Sequence, residues 1–65
     1  MDEAIEKLEQ KRSEWRERGE YHRRKGMDFH VKGEYDKRDE ERQLAQLAID
    51  TIRGLDYALA VLRGA

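Results

Sequence analysis

The sequence predicts an all-α protein: two long helices folded back on each other as an antiparallel hairpin, turning near residues 32–36, in a single domain of residues 1–65. Three observations lead there. Charged residues make up 45% of the chain yet leave a net charge of only −1. That balance suits solvent-facing helix surfaces on which acids and bases alternate at i,i+4 spacing. Proline is absent, so no residue breaks a helix by removing a backbone donor. Apolar residues recur at alternating three- and four-residue steps in both halves, the period of one helix face.

Size sets the next constraint. A chain of 65 residues buries only about 60% of the surface its unfolded form exposes, so its core needs help from disulfides, a structural metal or association. Cysteine is absent, which removes disulfides and thiolate zinc sites together. Self-association is left as the main aid, and a dimeric four-helix bundle is the expected assembly.

The first helix starts at once. Asp2 is placed to cap it, with Glu3 and Glu6 in the first turn, where the helix dipole favours negative charge. Its stripe runs Ile5, Leu8, Arg12, Trp15, Gly19, His22, Gly26, Phe29, Gly33. Ile5, Leu8, Trp15 and Phe29 are the expected hairpin-packing residues, with Tyr21, Met27 and Val31 as further apolar candidates. Gly19, Gly26 and Gly33 stand seven apart, a spacing that puts them on one face and lets another helix approach. Gly33 is the expected terminator, with Lys32 before it in the last turn and Asp36 after it as a new N-cap. A break at Gly26 instead would give a three-helix variant.

The second helix carries the stronger pattern. Ala45, Ala48, Ile52, Leu55, Leu59 and Leu62 keep the three–four rhythm without a gap, Leu44, Leu47, Ala58 and Val61 widen the stripe, and Arg63-Gly64 is a natural stop. With a turn near residue 34, facing residues have numbers adding to about 68. Trp15 then lands near Ile52 to Leu55, where Gly54 leaves room for an indole, and Ile5 and Leu8 meet Leu59 to Leu62. The second helix has more apolar surface than the first can cover, and a helix apolar on two faces is normally buried between neighbours. Self-association is therefore expected through Leu44, Leu47, Ala48, Ile52, Leu55, Leu59 and Leu62.

The spacing Gly26–Phe29–Gly33–Tyr35–Ala45 resembles part of a tetratricopeptide unit, over about twenty residues. It departs from that family at Arg38 and Arg42, where a small residue and an aromatic belong, and the chain holds one unit rather than several. What the resemblance implies is a helix-turn-helix, the same hairpin reached from the residues. In length and composition the chain also resembles small accessory proteins of bacteria or their phages, which implies a regulatory protein that binds a larger one.

Chemistry-bearing motifs are scarce. His22 and His30 are the only histidines; His30 with Glu34 has i,i+4 spacing, but Glu34 falls in the expected turn, and no metal site is expected. Ser13 and Thr51 lack a histidine at helical spacing, and no phosphate loop or nucleophile elbow occurs. Neither catalysis nor a cofactor is expected. The basic residues Arg16, Arg23, Arg24 and Lys25 are the candidate partner-binding set. Phosphate binding would use such a cluster, but its flanks are acidic, which favours a protein partner over nucleic acid. The longest apolar run, Tyr57 to Leu62, is far below the ~20 residues a membrane span needs. The first ten residues, MDEAIEKLEQ, lack the pattern of a signal peptide. A soluble, cytoplasmic protein is the expectation.

Overall fold

A computed structural model describes residues 2–64, with the side chains of residues 3–64. Helix α1 spans Asp2–Lys32 and helix α2 spans Tyr35–Leu62, and the two pack antiparallel along their length. The expected capping by the Asp2 side chain lies outside the described side chains.

α1 is unbroken through Gly19 and Gly26. The three-helix variant with a break at Gly26 is therefore excluded: a single glycine costs a helix about 1 kcal/mol, which packing along 31 residues offsets. Gly33 does end it. Its φ of 76° is left-handed, and the amides of Gly33 and Glu34 donate back to the carbonyls of His30 (3.1 Å) and Phe29 (2.9 Å). This pair of bonds is the Schellman arrangement, which satisfies carbonyls a helix end leaves open. His30 and Lys32 in the last turn complement the negative end of the dipole.

α2 begins two residues after that turn. The expected N-cap at Asp36 is corrected: Glu34 occupies the cap position, and its carbonyl accepts the amide of Arg38 at 3.0 Å. The Glu34 side chain makes no capping bond; it pairs with Lys37 at 3.2 Å instead. Asp36 sits inside the first turn, where its charge still favours the helix. At the far end the amides of Arg63 and Gly64 return to Leu59 and Val61, with Gly64 at φ 74°.

The seam follows the stripe read from the sequence. Ile5, Leu8, Trp15, His22 and Phe29 are half-buried on α1 and oppose Ala45, Ala48, Ile52, Leu55, Leu59 and Leu62 on α2. The numbers of facing partners add to 67 for Gly19 with Ala48 and for Gly26 with Glu41, and to 68 for Arg12 with Asp56. One pairing is corrected. A Cβ at Gly54 would meet nothing within 4 Å, so Gly54 faces outward and houses no indole. The tight approach is Gly19 on Ala48, where a Cβ would stand 3.1 Å from that of Ala48. Tyr21, Met27 and Val31 are likewise exposed rather than packed on α2, because they lie off the three–four stripe.

The resulting core is thin. Ala48 (1% exposed) and Leu59 (3%) are its fully buried apolar members. The hairpin measures 48 × 15 × 12 Å with a radius of gyration of 14.8 Å, against roughly 11 Å for a compact domain of this length. It exposes 5208 Å², about a fifth more than the roughly 4,400 Å² that mass scaling gives for a compact monomer of 7.8 kDa.

Candidate interaction surfaces

Polar residues interrupt the seam and tie the helices in register. Arg12 donates from Nε to Oδ1 of Asp56 at 2.5 Å, and Arg63 donates to Glu9 near the open end. Between them and the turn lies a three-residue layer. His22 donates from Nδ1 to Oε2 of Glu41 at 2.5 Å, and the Lys25 ammonium lies 3.6 Å from Oε1 of the same carboxylate. The Glu41 side chain is only 12% exposed. The bond from His22, with the charge of Lys25 behind it, holds this carboxyl below its ordinary value against the opposing effect of burial. Tyr21 and Glu41 together hold the Lys25 ammonium above its ordinary value. These groups pair with one another, so the layer is a structural contact rather than an open reactive centre.

The two helices leave two long faces on either side of the seam. One is the outer flank of α2, the row Leu44, Leu47, Thr51, Gly54, Ala58 and Val61, again at three–four spacing and without a charge. Leu44, Leu47 and Val61 are exposed there. Of the residues expected to self-associate, only Leu44 and Leu47 are on this flank. Ala48, Ile52, Leu55, Leu59 and Leu62 turn toward α1, because the unbroken stripe of α2 is the one that closes the hairpin.

The opposite face is a groove. Near the turn a concavity of 540 Å³ has Gly26 and Ala45 along its floor and Met27, Val31 and Ile49 at its sides, with Arg23, His30 and Arg42 around it. A further 180 Å³ hollow continues it over Gly19 and Ala48 as far as Arg16 and Ile52, sharing Arg23, Ala45 and Ile49. Met27 (58% exposed), Val31 (85%) and Ile49 (45%) are large apolar groups left in water. The acid in this lining is Glu20, already paired with Arg23 at 3.1 Å.

The basic cluster does not form one patch. Arg16 and Arg23, seven residues apart, share the groove edge. Arg24 lines an adjoining shallow surface with Tyr21 and Glu17, which Arg16 and Glu20 border from the groove side, and Lys25 turns to the other side of α1, onto Glu41 and over the Tyr21 ring. Consecutive helical residues point in different directions, since each step rotates the side chain by about 100°. Arg42, Met27, Val31 and Ile49 line the groove but lie outside the partner-binding set expected from the sequence. Their signal was present in spacing, one step to the side of the seam stripes on each helix.

Other chemistry is thin on these surfaces. The His30 ring accepts from Nη1 of Arg38 at 2.9 Å and stacks at a tilt on Tyr35, rather than meeting Glu34. Among the described residues, no group of three or more histidine and carboxylate side chains is gathered to hold a metal ion. Among them too, no helix is long and apolar enough to cross a membrane. Comparison of the chain with known protein families, with characterised proteins and with solved structures finds no match.

Proposed function

We propose that this chain is a non-enzymatic interaction module that self-associates through α2 and offers its remaining charged and apolar faces to a partner protein, in an accessory or regulatory role. The observation that carries the reading is the uncharged outer flank of α2. Its sequence is self-complementary when two copies run antiparallel about a twofold axis between residues 52 and 53. Leu44 then faces Val61, Leu47 faces Ala58, and Thr51 faces Gly54 of the second copy. Large residues meet small ones at the inner levels, and each copy presents the same patch, as a twofold interface requires. Gly54, open in the hairpin, permits close approach at the centre. The row from Leu44 to Val61 is about 25 Å long at 1.5 Å per residue. Joining two hairpins along it makes a four-helix arrangement and covers apolar surface that the slender monomer leaves in water.

Sedimentation at micromolar concentration tests this. The wild-type chain should have at least twice the mass of 7.8 kDa. Leu47→Glu and Gly54→Lys, both on exposed positions of α2, should sediment as single chains with helicity retained. A fully helical wild-type monomer at high concentration overturns the reading.

A further inference from the structure

The groove opposite that flank has a composition of its own. Its floor is made of Gly19, Gly26, Ala45 and Ala48, the smallest side chains of the seam, so the two helices leave a trough rather than a ridge. Gly26 is informative in this respect. A Cβ there would meet Glu41 Cβ at 3.6 Å and the Arg38 carbonyl at 3.7 Å, ordinary contact distances, so helix packing does not require a glycine. The helix nevertheless bears its cost of about 1 kcal/mol.

The groove walls combine apolar and cationic groups. Met27, Val31 and Ile49 come from both helices and are exposed. Arg23 and Arg42 line the same concavity, with Arg23 Nη1 3.3 Å from Met27 Sδ, and Arg16 lines its continuation beside Ile49. With Glu20 engaged by Arg23, the lining has an excess of positive charge on a chain whose net charge is −1. From Arg16 to Val31 the trough runs about 22 Å along α1, room for roughly four turns of a helix laid in it. A helix in such a groove buries apolar residues at i, i+3, i+4 and i+7, and charge complementarity sets what flanks them.

We propose that this groove takes one amphipathic helix of a partner protein, apolar on the face it buries and acidic along its edges. The proposal rests on the interaction-module reading and gives it a partner chemistry. Nucleic acid fits less well, because phosphates would meet the arginines but leave Met27, Val31 and Ile49 uncovered.

Selection of a displayed library of random peptides, each about four helical turns long, against the whole chain tests it. Enriched sequences should repeat apolar residues at three–four spacing with Asp or Glu beside them. A synthetic peptide of the enriched sequence should bind about tenfold more weakly, or worse, to Arg42→Glu and to Ile49→Lys, each checked for full helicity. It should also weaken with added salt. Leu47→Glu, on the other face, should bind it as the wild type does, whether or not it still self-associates, so the two proposals fail separately. Absence of enrichment, enrichment of basic peptides, or binding indifferent to Arg42 and Ile49 overturns the proposal. So does tighter, Ile49-independent capture of a labelled single-stranded or duplex oligonucleotide. Dissociation of the self-associated form by Arg42→Glu would assign the groove to a second copy instead and equally overturn it.

Discussion

Gly19 of α1 lies directly on Ala48 of α2, so close that a Cβ on the glycine would stand 3.1 Å from the Ala48 Cβ. Ala48 is 1% exposed and its Cβ is fixed to a helix backbone, so it cannot swing aside. The missing side chain at position 19 is what lets the helices meet in the middle of the hairpin, between the Arg12–Asp56 bond and the His22–Glu41 bond.

Substitutions at Gly19 and Gly26 should therefore diverge. Alanine gains up to about 1 kcal/mol over glycine in a helix. Gly26→Ala, with ordinary contacts around its new methyl, should raise stability by about 0.5–1 kcal/mol. Gly19→Ala should show none of that gain, because the helices must part to admit the methyl. Gly19→Leu should lose about 1–3 kcal/mol through overpacking. Urea unfolding followed by circular dichroism measures all three, and equal gains at both alanine positions would refute the assignment of the close approach.

The turn offers a different test. Gly33 holds φ at 76°, a left-handed conformation that costs residues with a Cβ about 1–2 kcal/mol. No atom lies within 4 Å of a Cβ built there, so the effect is conformational rather than steric. Gly33→Ala should destabilise the hairpin by about that amount, and Gly33→Asn by less, since asparagine enters this region more readily. Thermal unfolding of the three proteins gives the order.

Acid should weaken the fold through Glu41. Its carboxyl is held low, first by the bond from His22 and then by the charge of Lys25. A carboxyl depressed in the folded state stabilises above its unfolded pKa of about 4.3, and that contribution is lost as pH falls through the lower folded value. The thermal midpoint should thus decline below about pH 4. Glu41→Gln should start from a lower midpoint at neutral pH and show a shallower decline on acidification. An unchanged acid slope in the variant would show that other carboxylates carry the effect.

The sequence by itself determined the helical class, a turn near residues 32–36 with Gly33 as its terminator, and the three–four apolar stripe of each helix. Those are local matters: a three–four apolar rhythm, absent proline, and one glycine followed by a chain reversal leave few alternatives. The continuity of α1 through Gly26 came from the structure. The sequence also placed facing partners to within a residue, since two straight helices joined by a short turn have a single register once the turn is known. Tertiary structure alone decided where the space went. Gly19 and Gly54 are the same residue in the same kind of helix, yet one is pressed against Ala48 and the other is open. Likewise Leu44 and Leu47 read as part of one broad stripe with Leu55 and Leu59, and only packing against α1 separates the residues that close the hairpin from those left outside. The cationic groove was out of reach for the same reason. Arg23 and Arg42 are 19 positions apart, and their common edge exists only because the chain folds back on itself.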